Sequence, residues 1–270
     1  MNEDLKALQN FIKPFKQVIV AYSGGVDSTL VAKAANDVLG ENALCVLIKS
    51  IFVPESEIIE AQTIAERLCF NFMMIEVDIN SYDNILDNHP DRCYHCKKVM
   101  FSMLKKIANE KDIKTIFDGS NLDDSNDIRP GAKATEELGV LSPLKELGFT
   151  KSKIRIVAKE LGLPNWNKPA YACLASRVPF NMKITPEILH QIDESESALS
   201  QLGFVQVRVR HHNEIARIEI DPIQMDKLML PEMRQKVVEK LKNAGYTYVT
   251  MDLLGYRTGS INEALSNDKD

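Results

Sequence analysis

The stretch Ala21-Tyr22-Ser23-Gly24-Gly25-Val26-Asp27-Ser28-Thr29 gathers two glycines, two serines and one carboxylate between Ser23 and Ser28. Gly24 and Gly25 let the backbone approach an anion with no side chain in the way. Ser23 and Ser28 add hydroxyl donors, and the successive N–H groups around Val26, at the start of a helix, face that anion. Asp27 has the wrong charge for phosphate, so its chemistry is that of a magnesium ligand between phosphates. No Gly-Lys-Ser/Thr follows, so this is not a Walker A loop. The competing interpretation is a plain Gly-Gly turn between strand and helix.

A second nucleotide-side candidate is Phe117-Asp118-Gly119-Ser120-Asn121, continued by Asp124, Asn126, Asp127, Ile128, Arg129, Pro130 and Gly131. A strand ending in Asp-Gly would set Asp118 near magnesium, and Arg129 would pair with a phosphate. The alternative is an acidic surface loop stapled by Asn and Asp turns.

Cys93-Tyr94-His95-Cys96 opens an expected helix, where the dipole favours an anion. Cys173 lies far away in Lys168-Pro169-Ala170-Tyr171-Ala172-Cys173-Leu174-Ala175-Ser176-Arg177. Three readings compete for Cys93, Cys96 and Cys173. They could hold three irons of a cubane cluster and leave the fourth open to sulfide. They could bind zinc with His89 or His95, or pass a persulfide between thiols. Cys45, in an expected strand, and Cys69, at a helix end, are expected to be inert core residues.

Residues 204–220 read FVQVRVRHHNEIARIEI. A turn centred on His212 and Asn213 sets Arg208 opposite Arg217. Val205, Val207 and Val209 then share an apolar face with Ala216, Ile218 and Ile220, while Arg208, Arg210, Arg217 and Glu219 form the other. Opposed like charges destabilise a bare sheet; an anionic ligand would relieve them, and guanidiniums suit phosphate or carboxylate. A solvated polar face with Glu219 as partial counter-charge is the alternative.

These residues need a scaffold. Expected strands at 17–22, 43–49, 72–77 and 115–118 alternate with expected helices at 5–15, 27–39, 55–68 and 93–109. That rhythm implies an α/β fold, a parallel sheet with helices on both faces. Such sheets bind ligands beyond the carboxyl ends of their strands, here Ser23, Ser50, Asp78 and Asp118. After Thr150 come helices at 152–161, 187–202 and 231–244 and strands at 204–210, 214–220 and 247–253, a smaller α+β domain. The expected division is residues 1–165, carrying the Ser23–Ser28 loop, and 166–270, carrying Cys173 and the arginine hairpin.

The chain has 270 residues, 44% hydrophobic and 26% charged, with net charge −5. That composition excludes disordered, collagen-like and disulfide-scaffold classes. The acidic balance argues against nucleic acid as a partner. No apolar run suits a membrane span or signal peptide, so the expected location is cytoplasmic. Five cysteines, an odd number, are then expected to be reduced unless they hold a metal.

The motif Ser-Gly-Gly-Val-Asp-Ser resembles the signature of the PP-loop ATP pyrophosphatases, which have an adenine nucleotide α-hydrolase-like fold. With DGSNLDDSNDIRPG, LGLPNWNKPAYACLASRVPF and VRVRHHNEIARIEI, most of the chain resembles the LarE family within that superfamily. The resemblance implies an ATP- and magnesium-dependent sulfur transferase of nickel-pincer cofactor biosynthesis, forming AMP and pyrophosphate. Its small-molecule substrate would be pyridinium-3,5-biscarboxylic acid mononucleotide, whose carboxylates are adenylated and converted to thiocarboxylates. Some family members sacrifice a cysteine sulfur; others carry three cysteines, resembling Cys93, Cys96 and Cys173, and bind a 4Fe–4S cluster that carries sulfide from a sulfur donor. The resemblance further implies that Arg208, Arg210, Glu219 and Glu196 face the substrate, and that the protein is a homo-oligomer. The alternatives are a tRNA thiolase of the same superfamily, an ammonia-using adenylating synthetase, and a non-catalytic zinc-and-nucleotide binding module.

Overall fold

The computed structural model describes residues 2–126, 130–169, 172–257 and 260–262. They form two compact units, one of residues 1–85 and 91–171, the other of residues 86–90 and 172–270. Among the described residues no helix is long and apolar enough to cross a membrane.

The first unit contains α1 (Glu3–Ile12), β1 (Val18–Tyr22), α2 (Val26–Leu39), β2 (Ala43–Lys49), α3 (Glu55–Arg67), β3 (Asn71–Glu76), α4 (Asp83–Leu86, ending in the second unit), α5 (Arg92–Glu110), β4 (Ile116–Phe117), α6 (Pro130–Glu137), α7 (Pro143–Glu146) and α8 (Lys151–Glu160). The four strands are all parallel, in the order β3-β2-β1-β4. Alternate residues of the central strands enter opposite cores. Val18, Val20, Tyr22, Cys45 and Leu47 pack with α1, α2, α3 and α8. Ile19, Leu44 and Val46 pack with Phe101, Leu104 and Ala108 of α5. Both faces are therefore covered, as a parallel sheet requires. Strands run outward from β1 to β2 and β3, then return to the far side of β1 as β4. The carboxyl ends of β1 and β4 thus flank the point where strand order reverses, where an open α/β sheet forms its ligand crevice.

The second unit contains α9 (Pro186–Gln201), β5 (Val207–His212), β6 (Ile215–Ile220), α10 (Met225–Met229), α11 (Pro231–Asn243) and β7 (Tyr248–Met251). Thr185 caps α9 by accepting from Ile188 N at 3.3 Å, and Pro186 occupies the first turn. Its sheet runs β5-β6-β7, antiparallel then parallel. Residues 86–90 join this unit through Asn88. That buried side chain donates to Val178 O (3.2 Å) and Pro179 O (2.8 Å), and the Asn88 backbone carbonyl accepts from Asn181 N (3.0 Å).

Three expectations need correction. The hairpin turn centres on Asn213 and Glu214, with Asn213 at φ +54°, so Arg208 faces Glu219 and Arg210 faces Arg217. Asparagine tolerates that left-handed conformation, which two-residue hairpins demand. The pairing moves by two residues, so the face of each side chain is unchanged, but Val205 precedes the strand and is exposed. Cys69 is not a core residue: it lies exposed at φ +52° just past α3. The fourth strand shrinks to the two residues that pair with β1, and on its other edge Leu141 N and O bond to Ile116 O (2.9 Å) and Asp118 N (3.0 Å). The sequence reading has no counterpart for the short helices α4, α6, α7 and α10.

Candidate functional site

The loop between β1 and α2 is built by packing behind it and hydrogen bonds within it. Gly24 takes φ +74°, and a Cβ there would lie 2.5 Å from Ala61 Cβ. Tyr22 Oη donates to Ala61 O at 3.0 Å, so α3 is locked to the loop's back. Burial raises the Tyr22 phenol well above its ordinary range. Gly25 is the N-cap of α2 and supplies no side-chain cap, and Val26 and Ser28 are buried in the first turn. The first N–H groups of α2 consequently point out of the helix without an intrahelical acceptor. Ser28 Oγ accepts from Ser23 N (3.2 Å) and donates to Gly25 O (3.1 Å), and the two serine oxygens stand 3.1 Å apart. This ring of serine and backbone groups lies just ahead of the outward-pointing N–H groups of α2, and a helix N-terminus of that kind binds phosphate.

Sequence reasoning missed the residues that brace this ring. Asn165, buried, donates from Nδ2 to Gly24 O (2.7 Å) and Thr29 Oγ1 (2.9 Å), while its Oδ1 is buried without a partner among the described residues. Asp27 pairs with Lys151 at the start of α8, and its Oδ1 accepts from Asn121 Nδ2 at 3.4 Å. Gly119 abuts the same turn: a Cβ there would lie 2.8 Å from Ser28 N. The hydrogen bonds among these join positions 94 to 141 residues apart, and no local pattern signals them.

Asp118, at the end of β4, is buried and accepts from Ser120 N (3.1 Å), Ser120 Oγ (2.6 Å) and Ser142 Oγ (2.7 Å). Its carboxylate is thus engaged in fixing its own turn. Beside it a cavity of about 350 Å³ is lined by Ser120, Ser142, Lys97 and Lys145. Ser50, buried at the end of β2, accepts from Phe52 N at 3.4 Å and turns the chain toward α3. Arg129 lies outside the described residues.

The cysteines divide between the units. Cys93 and Cys96 occupy the first turns of α5, exposed and half-buried, and Arg92 Nη2 donates to Cys93 Sγ at 3.6 Å. Cys173 is exposed in the second unit and caps a single 3-10 turn at 174–177. None of the five cysteines is in a disulfide. His89 Nδ1 bonds to Asn181 Oδ1 (2.8 Å) and His95 Nε2 to Asp91 (3.2 Å). Among the described residues, no three His, Cys, Asp or Glu side chains gather around one point. The donor set itself fits an iron–sulfur centre, being three thiols outside the core with a guanidinium at one of them.

In the second unit the polar face of β5 and β6 is largely buried and partly compensated within itself. Glu219 accepts from Arg210 Nε (2.9 Å) and Nη2 (3.0 Å) and from Arg217 Nη2 (3.1 Å), so one carboxylate bridges the two facing arginines and offsets one of their charges. Arg210 also reaches Ser176 O (2.5 Å) and Ser260 Oγ (2.6 Å). Arg208 donates to Val207 O (2.6 Å) and stacks on Tyr256 at 5.3 Å. Glu196 accepts from Arg177 Nε and Nη2 and from Val209 N, each at 2.9 Å. Arg177 Nη1 then holds Ala172 O (2.6 Å), Cys173 O (3.1 Å) and Ser176 Oγ (3.0 Å). The expected substrate residues Arg210, Glu219 and Glu196 therefore lie in one network through Ser176 and Arg177, and Arg208 stands on Tyr256 in the same unit, which also carries Cys173.

Comparison with known proteins agrees with this geometry. The NAD synthase family model matches residues 4–110, the span of α1 through α5. Pyridinium-3,5-bisthiocarboxylic acid mononucleotide synthase of Lactiplantibacillus plantarum is 40% identical over 94% of the chain and 92% of its own length. An uncharacterised protein of Synechocystis is 38% identical over 98% of the chain and 99% of its own length. One of the polypeptides of the glutamine-hydrolysing GMP synthase of Thermoplasma volcanium is 26% identical over 60% of the chain and 56% of its length.

Proposed function

Because the chain belongs to the LarE family of ATP-dependent sulfur transferases, we propose that it converts pyridinium-3,5-biscarboxylic acid mononucleotide to the bisthiocarboxylic acid. The observation that carries the reading is the Ser23–Ser28 ring of donors at the reversal of strand order, ahead of an uncapped helix.

The loop binds the triphosphate, and one substrate carboxylate oxygen attacks the α-phosphorus. The bond from that phosphorus to the bridging oxygen breaks, and pyrophosphate leaves with the electron pair. The N–H groups of α2 and the Ser23 and Ser28 hydroxyls hold the departing charge, a preorganised electrostatic contribution. A sulfide-level nucleophile then attacks the acyl carbon, and AMP departs with the carboxylate oxygen. Asp27 is the candidate magnesium ligand; Asp118 instead fixes the turn after β4 through Ser120 and Ser142. Arg208 and Arg210 are the candidate anion-binding groups for substrate, Glu219 aims Arg210, and Glu196 aims Arg177 beneath the Cys173 loop. Cys93, Cys96 and Cys173 would hold a 4Fe–4S cluster by three of its irons, and its fourth iron would supply an open position for sulfide.

The test is anaerobic purification, iron and sulfide counts, then incubation with ATP and the biscarboxylic mononucleotide. The reading expects substrate-dependent release of AMP and pyrophosphate with oxygen-to-sulfur exchange in the product mass. It expects Cys173→Ala to lose iron while retaining ATP binding. Normal iron in that variant refutes the ligand set, and absence of pyrophosphate release refutes the activity. Exchange of oxygen for nitrogen when ammonia is present would instead place the chain with the ammonia-using synthetases.

A further inference from the structure

We propose that Lys168 is a positioning residue for the sulfur-transfer step, tying the segment that leads to Cys173 onto the helix that backs the Ser23–Ser28 loop. The inference deepens the activity proposed above and rests on it. Lys168 Nζ sits between two carboxylates of α3, Glu57 at 2.8 Å and Glu60 at 2.7 Å. Glu57 and Glu60 are three residues apart and Ala61 is four beyond Glu57, so all three share one face of α3. Ala61 is the residue that packs against Gly24 and accepts from Tyr22 Oη. The ammonium therefore grips the helix face that shapes the phosphate loop.

Every polar group of Lys168 is committed. Its N donates to Asn165 O at 3.1 Å, and its carbonyl accepts from Arg155 Nη2 at 3.3 Å. Three residues earlier, Asn165 reaches Gly24 O and Thr29 Oγ1. Residues 165–168 thus form one block with the loop and α3. Burial opposes the Lys168 charge, but the hydrogen bonds to Glu57 and Glu60 outweigh it and raise the ammonium above its ordinary range. The Lys168 and Glu57 side chains are each 18% exposed, which shields their contact from solvent. Holding α3 in place does not call for this contact, since the helix is already buried through Ile58, Ala61 and Ala65.

Cys173 stands five residues beyond Lys168 along the chain. An extended chain covers about 3.5 Å per residue, so a fixed Lys168 keeps the Cys173 backbone within about 18 Å of the anchor. That limit holds the sulfur centre served by Cys173 at a high effective concentration near the acyl adenylate. Released from α3, the segment gains conformational freedom and that concentration falls. Water then attacks the acyl carbon before sulfur does. AMP departs with the oxygen that joined it to that carbon, both water protons pass to solvent, and the carboxylate is regenerated. Pyrophosphate release continues while sulfur transfer fails.

The test compares Lys168→Met and Lys168→Arg with the wild-type chain in two assays. In the first, anaerobically purified protein receives ATP and the biscarboxylic mononucleotide. Lys168→Met should release pyrophosphate within about twofold of wild type yet form about tenfold less thiocarboxylate per pyrophosphate. Lys168→Arg should recover most of that ratio, and the double variant Glu57→Gln with Glu60→Gln should reproduce the loss. In the second, on metal-free protein without substrate, amide hydrogen exchange should quicken from Trp166 to Lys168 in Lys168→Met and keep its wild-type rate in α2. A purely structural lysine would lower pyrophosphate release and thiocarboxylate together. That result, an unchanged product ratio, or unchanged exchange around Lys168 overturns the inference. A wild-type chain that releases no pyrophosphate overturns the activity itself, and the exchange measurement then decides the anchor alone.

Discussion

Arg177 and Glu196 meet as a bidentate pair, Nε to Oε1 and Nη2 to Oε2, both at 2.9 Å. Arg177 is 1% exposed, and its third nitrogen holds the carbonyls of Ala172 and Cys173. The loop that presents Cys173 is thus fastened to α9 by one guanidinium. Arg177→Ala removes two hydrogen bonds from a buried carboxylate, a change that costs about 3–5 kcal/mol. Urea unfolding should show a lower midpoint with unchanged slope, and Arg177→Lys should fall between the two proteins. A midpoint equal to wild type in Arg177→Ala would refute the clamp.

Gly24 and Gly25 should separate folding from ligand binding. Alanine at Gly24 meets Ala61 Cβ at 2.5 Å on a backbone at φ +74°. Overpacking alone costs about 1–3 kcal/mol, and the left-handed conformation adds about 1–2 kcal/mol. At Gly25, φ is −70° and the nearest atom to a new Cβ is Ser23 Oγ at 3.5 Å. Gly24→Ala should therefore lower the melting temperature strongly. Gly25→Ala should melt near wild type yet lose nucleotide affinity, because its methyl intrudes on the donor ring. Equal melting temperatures would contradict the packing argument.

The five thiols should differ in reactivity. Burial pushes the Cys45 thiol up to about 12, and its side chain lies wholly within the sheet core. Cys69, Cys93 and Cys173 are exposed. On metal-free native protein at mildly alkaline pH, an alkylating reagent should modify these three well before Cys45. Peptide mass spectrometry over time reads the order, and equal rates at Cys45 and Cys69 would count against the packing described. Denaturant should abolish the difference.

Acid should weaken the second unit through His211. Burial holds its imidazole below the ordinary range, helped by neighbouring His212, and its Nδ1 lies 3.3 Å from Tyr246 Oη. A group whose folded-state value is depressed binds its proton more readily when unfolded. Stability is therefore complete above the usual imidazole range and declines as pH falls through it, by at most about 1.4 kcal/mol per pH unit for one proton. His211→Gln keeps a polar neighbour for Tyr246 and should flatten the profile. Melting curves across that interval decide, and identical slopes would exclude the imidazole as the cause.

The alternation of apolar strands and helices was legible in the first half because Val18–Val20 of β1 and Ala43–Leu47 of β2 are all buried, on one face or the other, which leaves an uninterrupted apolar run. The Ser23–Ser28 loop was legible for a similar reason, since its chemistry is local. Asn165 and Lys151 were not, because their partners lie 141 and 124 residues away and neither side chain has a distinctive neighbour in sequence. In the β5–β6 hairpin the apolar face was read correctly from Val207, Val209, Ile218 and Ile220, but the turn was set one residue early. An asparagine that accepts positive φ at the first turn position was the missed signal. The charge balance of that hairpin was also out of reach, because the fully buried Glu219 serves two arginines and no pattern reveals burial of a polar group.

The excursion of residues 86–90 makes the polypeptide pass between the units three times, after Ile85, after Pro90 and again after Tyr171. One scission cannot release two intact halves. A fragment ending at Tyr171 would leave the Asn88 amide without the Val178 and Pro179 carbonyls that receive it. The complementary fragment would lack the Leu86 carbonyl that accepts from Ile184 N at 2.7 Å. Neither gene half encodes a self-sufficient module, so fusion or circular permutation of this enzyme has to keep residues 86–90 and 172–184 on one chain.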